Sequence, residues 1–253
     1  MAKEVWNMRK FEINSFQRFH NAVQKYNSDT IYRGVSHSSY KLLPKVGRDK
    51  SVSNFDRHHD YGMLDSYEQA ILLEFEKYAL PFIEKMPQSQ WEWWAIAQHH
   101  GLPTRFLDWT KNPLVAAYFA VEDCNLEEDC VVYATDSKQF NSYIDFNDYP
   151  DPLGIDEVFL YYPPHISQRI IAQSGIFTVH NQPTLSLDET EKPSTRISRR
   201  RGEKYDINQL VITKDAKAEF KKVLNLYGLN KSTIYPGLDG IAGHLEWLTL
   251  DCI

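Results

Sequence analysis

Cysteine is scarce in this chain. Its three, Cys124, Cys130 and Cys252, form no Cys-x-x-Cys pair. An odd, scattered set excludes a disulfide framework and offers no structural zinc site. Long apolar runs are missing too. The opening "MAKEVWNMRKFEINSF" holds no stretch of signal-peptide length, and nothing is long and apolar enough to span a bilayer. The expectation is a cytoplasmic protein with no membrane partner. Basic charge is not in excess either: 28 Lys and Arg stand against 34 Asp and Glu, a formal net charge of −6. A protein whose main task is coating nucleic acid would carry the opposite sign, so nucleic acid is not expected as the main partner. No Gly-x-Gly-x-x-Gly, P-loop or Gly-x-Ser-x-Gly signature occurs. Any dinucleotide would have to be held by side chains rather than by a glycine cradle.

What the chain does have is aromatic bulk, with 6 Trp, 15 Tyr and 13 Phe among 253 residues. That suits a packed interior or a pocket with flat walls. At 42% hydrophobic and 25% charged, the composition is that of a folded globular chain. "INSFQRFHNAVQKYNSD" spaces Phe16, Phe19, Val23 and Tyr26 as one helical face behind an Asn14 or Ser15 cap. "TIYRGVS" reads as a strand, and residues 45 to 60 as a loop. Capping boxes Ser66-x-x-Gln69 and Ser89-x-x-Glu92 predict the starts of two helices, the second stopped by Gly101. "TRFLDW" is strand-like, and Asn112-Pro113 opens another helix. "CVVYATD", "IFTVH" and "QLVITK" read as strands, "SQRIIAQSG" and "DAKAEFKKVLNLYG" as helices, and 186 to 205 as a loop. With no repeat and no linker, residues 1 to 253 are expected to form a single α+β domain, a mixed sheet with flanking helices.

Candidate chemistry concentrates in "AQHHGLPTRFLDWTKNPLVAAYFA", residues 97 to 120. His99 and His100 are adjacent, so on a helix they point about 100° apart and do not readily share one ion. No metal site is expected. Their reading is a helix C-terminus that offsets the dipole, with one ring lining a pocket beside Arg105. Glu74 or Glu76 is a candidate ion partner for Arg105. The basic run Arg199 to Arg201 reads as a solvated loop.

Three stretches, "IYRGVSHSSYKLLPKVGR", "WWAIAQHHGLPTRFLDWTKNPLVAAYFAV" and "RIIAQSGIFTVH", together resemble the FRG domain family, whose aromatic-Arg-Gly motif stands here as Tyr32-Arg33-Gly34. "IYPGLDGIAGHL" is similar to the family's C-terminal end, so the resemblance covers about residues 15 to 245. The order of these blocks is also similar to the three motifs of arginine-class ADP-ribosyltransferases. That second resemblance implies a split sheet, an NAD ligand or substrate, and an unidentified macromolecular acceptor. Arg33 matches its first motif, Asp108, Trp109 and Thr110 occupy the second, and Gln173 falls near the third.

On this resemblance Arg33 and Gly34 bind phosphate, the arginine as a planar fork of donors and the glycine by allowing close approach. Thr104, Arg105 and Thr110 complete the nucleotide contacts, while Asp108 and Gln173 are the catalytic candidates. Arg33 in an ion pair with Asp108, and Trp109 as core rather than as a stacking platform, are the competing readings. Gln173 departs from the glutamate of the third motif. It keeps the hydrogen bond and loses the charge that would stabilise an oxocarbenium-like transition state. Glu157, Glu189, Glu191 and Glu203 are the acids that could replace it. The functional expectation is an NAD pocket, with ADP-ribosyl transfer or NAD cleavage in a toxin or phage-defence setting. A noncatalytic nucleotide-sensing or protein-interaction module is the alternative, favoured by Gln173.

Overall fold

The computed structural model describes residues 9–48, 61–83, 85–122, 127–164, 168–193 and 202–250. Its centre is one open sheet of seven strands: β1 Lys10–Ile13, β2 Thr30–Val35, β3 Phe106–Thr110, β4 Cys130–Asp136, β5 Phe159–Tyr161, β6 Gly175–Val179 and β7 Ile207–Ile212. The spatial order is β1-β7-β4-β2-β3-β6-β5. Only β1 and β7 run parallel, and the remaining neighbours are antiparallel, so the fold is mixed α and β. The split implied by the transferase resemblance does not appear as two sheets among the described residues. The sheet is nevertheless pinched in its middle, because β2 and β3 share one registered pair, Tyr32 with Thr110.

Local chemistry explains the element ends that matter for the site. Helix α1, Phe16–Val23, is capped by the Ser15 hydroxyl, which accepts from the Arg18 amide at 3.3 Å. After β2 comes a short helix α2, Lys45–Arg48, inside the segment expected to be loop. The residues that follow it in that segment, His58 and His59 included, lie outside the described residues. Helix α3, Tyr61–Ala79, already contains Ser66, so the expected capping box there is corrected: the apolar face extends upstream of it. Helix α4, Gln90–His99, does start at Ser89, which accepts from the Glu92 amide, while the Glu92 carboxylate takes the Gln88 amide at 2.9 Å.

Gly101 ends α4 with φ +86. Its amide bonds the Gln98 carbonyl and the Leu102 amide bonds Ala97, the two-bond stop that satisfies the last carbonyls of a helix. Helix α5, Pro113–Val121, is capped by Asn112, whose side chain accepts from Leu114 at 2.9 Å. Helix α6, Gln168–Gln173, ends on Ser174 at φ 47, so serine takes the left-handed place and Gly175 begins β6. Helix α7 spans Lys217–Leu226, and the chain closes through α8, Lys231–Ile234, and α9, Leu238–Leu250.

Strand alternation sends side chains to both faces of the sheet. On one face Tyr32, Val132 and Leu210 pack with Ala116 and Ala120 of α5 and with the rings of Phe16, Phe19 and Phe220. On the other, Ile31, Val131 and Trp109 pack with Leu42, Phe140 and Tyr205. Trp91 and Trp94 of α4 form a third cluster with Phe106 and Phe177. Gly34 faces α5 so closely that a Cβ there would lie 1.9 Å from the Ala116 carbonyl oxygen. Its small size is therefore required by helix packing. No helix among the described residues is long and apolar enough to cross a membrane.

Candidate functional site

Beside the pinch a cavity of about 290 Å³ is walled by β2, β3, α2, α4 and α6. Arg33, Gly34, Asp108, Thr110 and Gln173 all line it, from three segments of the chain, β2, β3 and α6. The sheet brings them together because Arg33 follows Tyr32 and Asp108 precedes Thr110 across the one registered pair. Thr104 and Arg105 do not line it.

Arg105 stands at the entry of β3, at 1% exposure. Its guanidinium donates to Glu68 at 2.6 Å and also to Asp65, and its own amide donates to Glu68 at 2.9 Å. Burial alone would lower its pKa, but Glu68 and Asp65 outweigh burial and raise it. The ion partners come from the start of α3, not from Glu74 or Glu76 as expected. Glu74 instead pairs with Lys77. Placing Arg105 among nucleotide contacts is therefore corrected: its donors are committed to a buried ion network.

Thr104, fully buried, influences the site at one remove. Its hydroxyl donates to the Gln98 side-chain oxygen at 2.6 Å, and the Gln98 amide donates to Asp108 Oδ2 at 2.9 Å. Arg33 Nη1 donates to the same carboxylate oxygen at 3.3 Å and to the Asp108 carbonyl at 2.6 Å. The competing ion-pair reading of Arg33 thus describes one of its nitrogens. Another is left over: Nε is buried and has no hydrogen-bond partner among the described residues.

Thr110 ties β3 to α6. Its hydroxyl donates to the Gln173 carbonyl at 2.7 Å and accepts from the Asn112 amide at 3.0 Å. The Gln173 side chain donates in turn to the Ile234 carbonyl at 3.2 Å. These two residues line the cavity while fastening its floor. Trp109 is core, at 2% exposure, with its indole N–H on Thr178.

Sequence reasoning missed the cavity's other cations. Lys45 and Arg48 come from α2, and Arg169 from α6. The i, i+3 spacing of Lys45 and Arg48 behind Pro44 was the available signal, because such a pair shares one helical face. Arg48 feels its neighbour: partial loss of solvent and the charge of Arg33 lower its guanidinium to about 10. Arg169 lies over the Tyr235 ring at 4.6 Å, and its buried Nε has no hydrogen-bond partner among the described residues. Among the described lining residues Asp108 is the one carboxylate. Glu157, Glu189, Glu191 and Glu203 are elsewhere, Glu157 holding Asn141, Glu189 facing Lys41 and Glu203 facing Lys192.

His99 does line the cavity, near Arg169 rather than Arg105. Burial, then Arg169 and His100, lower its pKa to about 3, and the same kind of burial lowers His100. Neutral imidazoles do not offset a helix dipole, so that expectation is corrected. His99 Nε2 is buried without a hydrogen-bond partner among the described residues. Arg199 to Arg201 lie outside those residues.

Four cations line the cavity against one carboxylate, and two of the arginines keep a buried Nε without a hydrogen-bond partner among the described residues, a balance of charge that favours an anion. The FRG domain family model matches residues 28–129. That span holds Arg33, the α2 cations, His99, Asp108 and Thr110, and it stops before Arg169 and Gln173. No curated protein and no solved structure matches the chain.

Proposed function

For a chain that carries an FRG domain, we propose that this cavity binds an NAD-type nucleotide through its phosphates. The excess of cations over carboxylates at the cavity carries the reading: Lys45 and Arg48 are exposed, Arg33 and Arg169 half-buried, and their like charges repel until an anion joins them. Arg33 and Arg48 would grip phosphate oxygens, the former with its unpaired Nε. Asp108, positioned by Gln98 and Arg33, would accept from a ribose hydroxyl. Thr110 and Gln173 hold the frame.

Cleavage of the nicotinamide bond would call for a carboxylate near the ribose to stabilise positive charge developing there. Gln173 supplies none, and its side chain is engaged with Ile234. Asp108 is the group that would do this work, with ADP-ribose passing to a macromolecular acceptor. One observation favours the noncatalytic alternative of nucleotide sensing: the Asp108 charge is already shared with Arg33.

Calorimetric titration with NAD and ADP-ribose, alongside a nicotinamide-release assay, separates these readings. Wild type is expected to bind, and Arg33→Ala to weaken binding by 10- to 100-fold, the loss of about 1.5–3 kcal/mol for a charged hydrogen bond. Asp108→Asn should retain binding and abolish any nicotinamide release. Wild type that binds without releasing nicotinamide is a sensor. Wild type that binds neither ligand ends the nucleotide reading.

A further inference from the structure

A second cavity, of about 630 Å³, shares His99 and Arg169 with the first. It lies between the C-terminal end of α4 and the segment joining α8 to α9, with Lys85 and Lys231 at its wall. A pocket that buries a drug-sized ligand measures about 300–1,000 Å³, and a dinucleotide is at least that large. The first cavity stands at the bottom of this range, and the second extends the space open to a ligand well into it.

Both residues shared by the two cavities carry an unsatisfied buried polar atom. His99 is 8% exposed, its Nε2 lacks a hydrogen-bond partner among the described residues, and so does the buried Nε of Arg169. A buried polar atom left unpaired costs about 1–3 kcal/mol, so two at one boundary mark where a polar group of a ligand would be accommodated. A neutral imidazole offers one donor or one acceptor there, according to its tautomer.

Resting on the nucleotide reading above, we propose that the ligand has two nucleotide units, one in each cavity, with the phosphates that link them passing His99 and Arg169. Lys85 and Lys231 attract the second unit, and Tyr235, whose ring already carries Arg169, fixes that arginine at the junction. The junction residues thereby select dinucleotides over mononucleotides.

Binding of NAD, nicotinamide mononucleotide and AMP to the full chain, at about 150 mM salt to screen charges beyond about 8 Å, tests this. Joining two weakly bound units raises affinity by about 100-fold or more, so NAD should bind at least that much tighter than either half. Lys85→Glu with Lys231→Glu, and separately Leu238→Trp, change exposed residues of the second cavity, and thermal melts check their folding. Each variant should weaken NAD by at least 10-fold and leave within twofold of wild type the mononucleotide that occupies the first cavity, identified as the one whose binding Arg33→Ala weakens. If wild type binds NAD no tighter than a mononucleotide, and neither variant alters NAD affinity, the two-cavity ligand is wrong while the first cavity's reading survives. If wild type binds none of the three, both fall together.

Discussion

Arg33 and Arg105 show how one residue type takes opposite parts. Arg105 is surrounded: Glu68 is fully buried and Asp65 completes the pair, so its charge is spent on holding α3 to the entry of β3. Breaking a buried pair leaves a stranded charge, at a cost of about 3–5 kcal/mol. Arg105→Ala should therefore lower stability by that amount in urea titration, with loss of ligand binding only as a by-product of unfolding. Arg33 has a single half-exposed carboxylate, and its removal should cost binding more than stability. Gly34 belongs with Arg105 despite standing next to Arg33. Gly34→Ala drives a methyl into the α5 backbone, and overpacking of this kind costs about 1–3 kcal/mol, readable as a lowered urea midpoint with unchanged slope. Neither role was legible from the motif Tyr-Arg-Gly. The sequence shows that an arginine and a glycine adjoin, but the partner across the fold decides which of them meets solvent.

At the scale of elements, the ends with chemical markers were legible and the ends without them were not. Ser89, Asn112 and Gly101 each satisfy backbone groups that a helix terminus leaves open, and each was read at its position. Gly101→Ala should test the last of these. A left-handed residue with a Cβ costs about 1–2 kcal/mol, which for a chain of this size corresponds to a fall in melting temperature of about 2–8 °C. The four-residue β1 and three-residue β5 escaped notice because edge strands so short carry no periodicity. Ser66 misled because Ser-x-x-Gln caps a helix only where the chain begins to coil, and α3 is already under way there. The site was legible only in part for a related reason. Asp108 and Thr110 stood out beside their markers, whereas Lys45, Arg48 and Arg169 come from short helices that the sheet's pinch gathers from distant segments.

Across the whole molecule, charge is segregated: a chain with a formal net charge of −6 keeps a cluster of cations around one cavity. Two histidines sit in the field of that cluster. His180 is fully buried, and its Nε2 lies 3.0 Å from the Thr178 hydroxyl, which itself accepts from Trp109. Which of the two atoms donates follows the imidazole tautomer, and the buried Nδ1 has no hydrogen-bond partner among the described residues. Burial first, then Arg33 and Arg105, lower the His180 pKa from 6.5 to about 3, and His99 is lowered from 6.5 to about 3 by burial and Arg169. Below pH 6.5 the unfolded chain takes up protons at both histidines while the native chain does not. Stability therefore falls as pH drops from about 6.5 towards 3, by about 1.4 kcal/mol per pH unit for each histidine. Below about 3 this contribution levels off, because the native state then binds the same protons. The His99→Gln variant isolates one of the two, and its stability measured by urea titration from pH 7 to 4 should show an acid slope smaller than wild type by one proton. An anion between Arg33 and Arg169 would offset the part of both shifts that those cations add to burial, so saturating nucleotide should make the same limb shallower. An acid slope unchanged by His99→Gln would mean that His99 is already protonated in the native state, contrary to its burial beside Arg169.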